Sequence, residues 1–230
     1  SVTGDVVYDG AASILVGGVL ALRQDVLKQV LAYSTISQYG YVVMLYGIGG
    51  TAGNSAAAFY VLVHGIAKSA LFMTAGAVTM ATGEDRLSRL GGLARRMPVL
   101  AVAAGVAAAT LAALPVTLGF FKDELLFTAA LDAGPVTTAL AVVAAALTFA
   151  YIGRFWLRLF LGPARAQQSG ISWLLVAPVV VLAAVAVAGR LVVAPFSDLA
   201  AAAGAVSSGR PVVLSPAYHL DARAENVLAL

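Results

Sequence analysis

The sequence predicts an all-α, polytopic transmembrane helical bundle, and three observations lead to that prediction. Hydrophobic residues make up 61% of the 230 positions and charged residues only 11%, whereas soluble domains are about half apolar and a quarter charged. The apolar residues form runs of about 20, the length that an α-helix needs to cross a hydrocarbon core of about 30 Å. The pattern lacks the alternating strands of about ten residues that build a membrane β-barrel. A helical membrane bundle is the class that fits all three.

The apolar runs predict about six spans. They cover residues 8–22, 28–49, 55–81, 98–131 with a break, 135–161 and 171–189. The remaining residues are predicted as loops and a weakly apolar tail, in which His219 is an ordinary exposed histidine. Because the chain begins with Ser1 and shows no signal peptide, we expect it to be part of a longer or processed chain.

Basic residues lie in three connections that fall on one side of the predicted spans. They are Arg23 and Lys28; Arg86, Arg89, Arg95 and Arg96; and Arg154, Arg158 and Arg165. The opposite connections, "GIGGTAGNS" and "LDAGPV", contain no Lys or Arg. The positive-inside rule therefore predicts a multi-pass plasma membrane protein with the basic side in the cytoplasm and both ends of the chain outside. This topology also explains the net charge of +3, so we expect no nucleic-acid partner.

The composition also limits the chemistry. The chain has no cysteine, which excludes disulfides, thiolate-bound iron–sulfur clusters and thiolate nucleophiles. Any redox reaction must take place on another chain. With no catalytic motif and no metal-binding cluster in the pattern, we expect neither an enzymatic activity nor a cofactor or metal on this chain.

The first of three stretches with ionisable residues inside a span is "FYVLVHGIAKSALF", residues 59–72. An ionisable side chain at bilayer depth costs about 3 kcal/mol on insertion scales, so it is retained where it faces a polar interior. His64 and Lys68 share one helical face, and Tyr60 lies a turn further along it. We predict that this ladder of groups relays protons. The alternatives are buried structural groups, or a lysine that snorkels to the interface.

The second stretch is "LAYSTISQYGY", residues 31–41. It places four polar side chains at helical spacing on one face: Ser34, Ser37, Gln38 and Tyr41. This stripe is predicted either to hold water or to hydrogen-bond neighbouring helices, and the sequence favours neither. Lys28 precedes it and is either a proton uptake residue or a positive-inside anchor; its position favours the anchor.

The third stretch is "LPVTLGFFKDELLF", residues 114–127. Pro115 and Gly119 predict a break in the fourth span between about 114 and 120. Broken backbone at membrane depth persists only where protein or a water-filled cavity satisfies it, as in transporter ion sites. We predict that Lys122 projects into such a cavity, and that Asp123 and Glu124 occupy the start of the second half-helix, where negative charge is favourable. The alternative is a loop joining two short spans.

Four stretches in this order resemble the antiporter-like subunits shared by respiratory complex I and the multisubunit (Mrp-type) sodium/proton antiporters. They are "LKQVLAYSTISQYGY", "HGIAKSALF", "GGLARRMP" and "LPVTLGFFKDELLF". The resemblance covers about residues 10–165, and "AGAVTMATGEDRLSRLGGL" resembles the large A subunit of the antiporters more closely than the complex I subunits. That family has two inverted five-helix repeats, each with a broken helix, and a central chain of Lys and His.

The resemblance implies roles for individual residues. The proton-path residues are Lys28, His64, Lys68 and Lys122, with Lys122 towards the outer exit, and the supporting polar groups are Tyr60, Ser34, Ser37, Gln38, Tyr41, Asp123 and Glu124. The sequence departs from the family at Tyr60, where a second His is common, and at Gln29, which follows Lys28 where Arg is usual. We therefore expect the central relay to run through tyrosine or water.

The resemblance also implies a domain organisation. Residues 1–165 resemble the second repeat, residues 166–230 add one transmembrane helix and a tail, and the first repeat is absent. We expect another segment or a partner subunit to supply the other half of the path.

The leading function is a proton-translocating module of a multisubunit monovalent cation/proton antiporter. Its partners would be the other subunits, the lipid bilayer, protons and Na⁺ or K⁺. The alternatives are the corresponding subunit of a complex I-like oxidoreductase or membrane-bound hydrogenase, and a scaffold without transport.

Overall fold

The computed structural model describes residues 2–166 and 170–214, and within them every regular element is a helix. The helices are α1 (Val2–Arg23), α2 (Leu27–Ile48), α3 (Gly50–Thr82), α4 (Pro98–Leu111), α5 (Gly119–Ala133), α6 (Pro135–Phe160), α7 (Trp173–Leu191) and α8 (Ala194–Ser208). Two 3₁₀ turns, Leu87–Arg89 and Leu93–Arg95, lie between α3 and α4. His219 lies outside the described residues.

Four of these helices, α1, α3, α6 and α7, are long and apolar enough to cross a membrane. Helix α2 has 22 residues but is more polar. Helices α4 and α5 have 14 and 15 residues, and at about 1.5 Å per residue neither alone reaches across about 30 Å of hydrocarbon. The prediction of an all-α polytopic membrane bundle is confirmed.

Helix α3 is the central helix, because it packs against α2, α4, α5, α7 and α8. Helix α1 packs along α2 at backbone contact distance. A Cβ added to Gly10 would lie only 2.6 Å from the backbone nitrogen of Met44. Small residues at such contacts let membrane helices approach closely. Because α1 covers one side of α2, helix α3 packs against a different side of α2.

The break between α4 and α5 covers residues 112–118, close to the predicted position. Ala113 is in the left-handed region with φ 59°, an uncommon conformation for a residue with a Cβ. Pro115 lies within the break, and Gly119 begins α5 against the end of α4. A Cβ on Gly119 would lie 1.9 Å from the carbonyl oxygen of Thr110, so only glycine fits.

The three basic connections lie together at one end of the bundle, as predicted. The backbone N–H of Leu27 donates to the carbonyl of Asp85 over 2.8 Å, and that of Gly92 donates to Leu161 over 3.0 Å. The first bond joins the α1–α2 and α3–α4 connections, and the second joins the α3–α4 and α6–α7 connections. The side of the membrane that this end faces stays a prediction.

Helix α8 corrects the prediction that the chain after residue 189 is only loop and tail. Pro195 lies in its first turn, and Gly209 closes it in the left-handed conformation. Its buried residues, Ser197, Ala200 and Gly204, repeat at helical spacing on the side that faces α3. The sequence of α8 is too short and too weakly apolar to predict a membrane span, but its alanines favour a helix.

Candidate functional site

Lys68 lies near the middle of α3 and is 5% exposed. Its ammonium group donates to the carbonyl of Leu31 over 2.9 Å and to the hydroxyl of Ser34. Ser34 in turn donates to the same carbonyl over 2.9 Å. Two neutral oxygens of α2 therefore bind the buried ammonium group. The polar residues predicted along α2 thus lie against the face of α3 that carries Lys68 and Tyr60.

His64 lies one turn before Lys68 on α3 and is also 5% exposed. Its ring meets the ring of Tyr39 edge to face, with the centroids 5.3 Å apart. Its Nε2 atom is buried and has no hydrogen-bond partner among the described residues. The charges of Lys68 and Lys122 both act on His64, so the imidazole lies within electrostatic reach of both ammonium groups.

Gln38 is the centre of a buried hydrogen-bonded group that joins α2, α3 and α6, which we term the glutamine cluster. The Tyr60 hydroxyl donates to Gln38 Oε1 over 2.8 Å. Gln38 Nε2 donates to the hydroxyls of Tyr151 and Thr148 over 2.8 and 3.0 Å. Tyr41 shares a 3.1 Å hydrogen bond with Thr148 and stacks on Tyr60 at 5.2 Å between centroids. Every member is buried.

Lys122, in α5, reaches the glutamine cluster through Tyr60. It is 1% exposed, its ammonium group forms an ion pair with Asp123, and it lies 4.5 Å from the centroid of the Tyr60 ring. A cation at this distance from an aromatic face is attracted to it. The prediction that Lys122 projects into a water-filled cavity is wrong, because Asp123, Tyr60 and the surrounding helices enclose the side chain.

The acidic residues of α5 also correct the prediction. The helix begins at Gly119, and its first turn contains no acidic residue. Asp123 and Glu124 therefore fall in the second turn, away from the free backbone N–H groups at the helix start. Asp123 is buried against Lys122, and Glu124 is partly buried.

Two other predicted residues lie at the edge of this arrangement. The hydroxyl of Ser37 donates to the carbonyl of Ile14 over 3.0 Å, so it joins α2 to α1, one of the two roles that the sequence leaves open. Lys28 is exposed at the start of α2. It is one helical turn from Leu31, whose carbonyl binds Lys68.

Thr148 and Tyr151 complete the cluster from α6, and the sequence prediction does not include them. Thr148 lies within the alanine-rich run "AVVAAALTFA" and Tyr151 directly follows it, and such a run is typical of a packing surface. Both are buried and both accept from Gln38. The available signal is their spacing of three residues, which places two hydroxyls on one face of an otherwise apolar helix.

Helix α7 holds the break in place, and this too was not predicted. The backbone N–H of Leu118 donates to the carbonyl of Ala186 over 2.9 Å. The guanidinium of Arg190 donates to the carbonyl of Pro115. These bonds satisfy backbone groups that broken helices leave free, which membrane depth requires.

Residues 6–148 match the family model described as NADH:quinone oxidoreductase/Mrp antiporter, TM. The chain belongs to this family. The match includes both buried lysines, His64, the break and most of the glutamine cluster, and it ends at Thr148.

Subunits of quinone oxidoreductases and subunits of cation/proton antiporters are both similar to this chain. The N subunit of the NADH-quinone oxidoreductase of Desulforudis audaxviator is 39% identical over 145 residues, which are 63% of this chain and 29% of the relative. The A subunit of the Na⁺/H⁺ antiporter of Alkalihalophilus pseudofirmus is 32% identical over 209 residues, 80% of this chain and 26% of the relative. The chain therefore spans less than a third of the length of these relatives.

A solved structure of the Mrp complex from Dietzia sp. DQ12-45-1b is also similar. It superimposes with a TM-score of 0.85 and 34% identity, over 97% of this chain and 25% of the matched chain. The likeness therefore includes α7 and α8, which lie beyond the family match.

Proposed function

We propose that this chain is the proton-translocating module of a multisubunit monovalent cation/proton antiporter. One observation carries the proposal: a row of buried polar groups runs from Lys68 through His64 and the glutamine cluster to Lys122. Ionisable groups inside a membrane protein are costly unless they line a path or bind a ligand. The similarity to the A subunit of a Na⁺/H⁺ antiporter over 80% of the chain supports the same function.

The order of groups defines the proposed path. Lys28 takes up a proton at the basic end and passes it to Lys68, whose Leu31 contact is one turn of α2 away. His64 and Tyr60 follow at successive turns of α3. Lys122 receives the proton beside the Tyr60 ring and releases it past the break. In the centre, the hydroxyls of the glutamine cluster take the place of a second histidine.

The wider assembly is part of the proposal. Helices α1–α6 form one five-helix repeat, with α4 and α5 as the two halves of one span, and α7 and α8 are additions to it. Other segments or subunits supply the first half of the path and the site for Na⁺ or K⁺. The protein lies in the plasma membrane with its basic end in the cytoplasm and both ends of the chain outside.

The relay is tested with His64→Ala and Lys68→Ala in the complete complex. Dissipation of the pH gradient by Na⁺ or K⁺ is measured in everted vesicles, together with the amount of the chain in the membrane. We expect transport to fall at least about tenfold, since loss of one proton-transfer group typically costs that much or more. Ser69→Ala is the matched control, because Ser69 is exposed beside Lys68. Normal transport at normal abundance would exclude the altered residue from the relay.

A second candidate is the corresponding subunit of a redox-driven proton pump, which the identity to a quinone oxidoreductase subunit favours. The same vesicles separate the two functions. An antiporter exchanges protons when Na⁺ or K⁺ is added without a redox substrate, whereas a redox pump moves protons only when electrons flow through its partner subunits.

The proposed orientation is tested by labelling introduced cysteines, since the chain has none of its own. Arg89→Cys lies on the exposed basic end and Ala52→Cys on the opposite end. We expect a membrane-impermeant maleimide to label only Ala52→Cys in right-side-out vesicles and only Arg89→Cys in everted ones. The reverse pattern would overturn the orientation.

A further inference from the structure

A cavity of about 440 Å³ lies at the basic end, where the end of α6 meets the α3–α4 connection. Three arginines line it, Arg154, Arg158 and Arg165, together with Leu157 and Leu161. We call it the arginine pocket. The lining residues include no Asp or Glu. None of the proposed proton-path residues lines the pocket, and the proposed transport function does not use it.

The helix end explains only part of this charge. Arg158 lies in the last turn of α6, where a cation is favourable against the helix dipole. Arg165 is bound through Nη1 to the carbonyl of Ser88 over 2.9 Å. Arg154 is a turn deeper, and its Nη1 atom is buried without a hydrogen-bond partner among the described residues. Arg154 also lines the pocket, and a guanidinium donor without a protein partner suits an oxyanion ligand.

Asp25 does not neutralise the pocket. Its carboxylate oxygens accept hydrogen bonds from Ser88 and it lies within electrostatic reach of Arg154, but it is a single carboxylate beside three guanidinium groups. The guanidinium groups therefore keep a net positive charge at the end of a membrane-spanning helix. Basic pockets in this position attract phosphate head groups of anionic lipids.

The surface beside the pocket is apolar and faces outward. Leu157 is 50% exposed and Leu161 is 46% exposed. The same outward side of α6 carries Phe149, which is 59% exposed, and further along Val143, which is 53% exposed. An apolar strip that begins among these cations and continues deeper along α6 to Phe149 and Val143 suits an acyl chain joined to an anionic head group. A free phosphate ion would leave this strip uncovered.

We propose that the arginine pocket binds the head group of a phospholipid with net negative charge, and that its acyl chain lies along the outward face of α6. The guanidinium groups of Arg154 and Arg158 bind the phosphate, and Leu157 and Leu161 contact the chain. The site would anchor this end of the bundle to anionic lipid without taking part in proton transfer.

The test uses the complete complex in nanodiscs and two photoactivatable lipids, phosphatidylglycerol and phosphatidylcholine, with labelled peptides identified by mass spectrometry. We expect phosphatidylglycerol to label the end of α6 about tenfold more than phosphatidylcholine does, since each arginine near a head group strengthens binding. Equal labelling by the two lipids, or no labelling because another protein of the complex covers the pocket, would overturn the proposal.

Variants separate the pocket from general surface charge. Arg154→Gln combined with Arg158→Gln should abolish the preference for phosphatidylglycerol. Arg23→Gln combined with Arg95→Gln removes the same charge from exposed sites at the same end and should leave the preference intact. A similar loss in both variants would assign the effect to net charge and contradict the pocket. Complete competition by inorganic phosphate at constant ionic strength would assign the pocket to free phosphate and contradict the lipid site.

Discussion

The two buried lysines of this chain are held in opposite ways. Lys68 is bound by neutral oxygens, the Leu31 carbonyl and the Ser34 hydroxyl. Lys122 is bound by a charged partner, Asp123, and by the face of the Tyr60 ring. Both are almost fully enclosed, at 5% and 1% exposure. The two lysines are therefore buried to a similar degree, and they differ in the groups that bind their ammonium groups.

The difference decides what loss of a proton does to each site. When Lys68 becomes a neutral amine, its neighbours stay neutral and hydrogen-bonded. When Lys122 becomes neutral, the carboxylate of Asp123 is left unpaired in a low-dielectric interior, which is strongly unfavourable. We infer that removing the positive charge disturbs the Lys122 site more than the Lys68 site, because only Lys122 has a buried carboxylate as its partner.

Lys122→Ala is expected to have the largest effect. It removes the proposed proton carrier and leaves Asp123 unpaired, and breaking a buried ion pair by removing one partner costs about 3–5 kcal/mol. Both transport in vesicles and the amount of assembled complex should fall. Adding Asp123→Ala should restore abundance without restoring transport. If abundance stays low in the double variant, the pair is not the cause of the assembly defect.

Lys122→Arg separates proton transfer from charge pairing at the same site. Arginine keeps the positive charge and can reach Asp123, but it does not release its proton at physiological pH. We expect normal abundance and transport reduced at least about tenfold, in line with loss of a proton-transfer group. A fully active arginine variant would show that Lys122 serves only as the charge partner of Asp123.

Lys68→Met is expected to abolish transport while the complex still assembles. Methionine fills a similar volume, and the Ser34 hydroxyl keeps its own bond to Leu31, so no charge is left unpaired. Abundance should stay near wild type, in contrast to Lys122→Ala. Comparing both variants by immunoblot and by vesicle transport checks this. An equal loss of abundance in the two would remove the distinction between the lysines.

The sequence predicts the features that depend on one helix at a time. The position of Lys68 one turn after His64, the polar stripe of α2 and the break near Pro115 all follow from helical spacing or from backbone limits of single residues. The structure has each of them at the predicted position. The predicted boundaries of the long spans lie within about two residues of the observed ones, except that α1 and α3 begin about six and five residues earlier than predicted.

The features that depend on two helices meeting were not predicted. Helical spacing shows that Gln38 faces inward, but not that Thr148 and Tyr151, more than a hundred residues later, lie opposite it. Likewise, nothing in the stretch around Lys122 shows that the Tyr60 ring covers its ammonium group. The position of α7 behind the break is a tertiary contact of the same kind.

Gln38→Leu tests whether the glutamine cluster connects the two lysine sites, and its effect should be smaller. It leaves the buried hydroxyl of Tyr60 without its acceptor, and an unsatisfied buried group costs about 1–3 kcal/mol. We expect vesicle transport to fall by about five- to tenfold, less than loss of a proton-transfer group costs, because the Tyr60 hydroxyl is then no longer bonded to the cluster while its ring stays stacked on Tyr41. Tyr46→Phe is the control, since it removes a hydroxyl from a residue of the same helix that is 46% exposed. Equal transport in the two variants would contradict a connecting role.

Asp25→Asn is expected to have the smallest effect. It tests how neutral partners stabilise a charge in a connection outside the membrane, for comparison with Lys68. Like Lys68, Asp25 is held by neutral groups of another segment, the Ser88 N–H at 2.8 Å and the Ser88 hydroxyl at 2.6 Å. Burial raises the pKa of Asp25, but these bonds and the charges of Arg86 and Arg154 outweigh it, so the pKa lies below its ordinary value.

Because the folded state lowers this pKa, the stabilisation from Asp25 is present above the unfolded value of about 3.9 and is lost as the pH falls through the folded value. Asparagine imitates the protonated side chain. We expect Asp25→Asn to lower the melting temperature of the complex by about 1–2 °C at neutral pH, since exposed charges contribute little. In melting curves recorded at successively lower pH, the variant and wild type should begin to converge below the unfolded pKa of about 3.9 and should coincide once the pH has fallen through the lowered folded pKa. A difference that persists below the folded pKa would mean that the contact depends on the shape of the side chain rather than on its charge. Asp25 would then differ from Lys68, whose charge is bound by neutral oxygens.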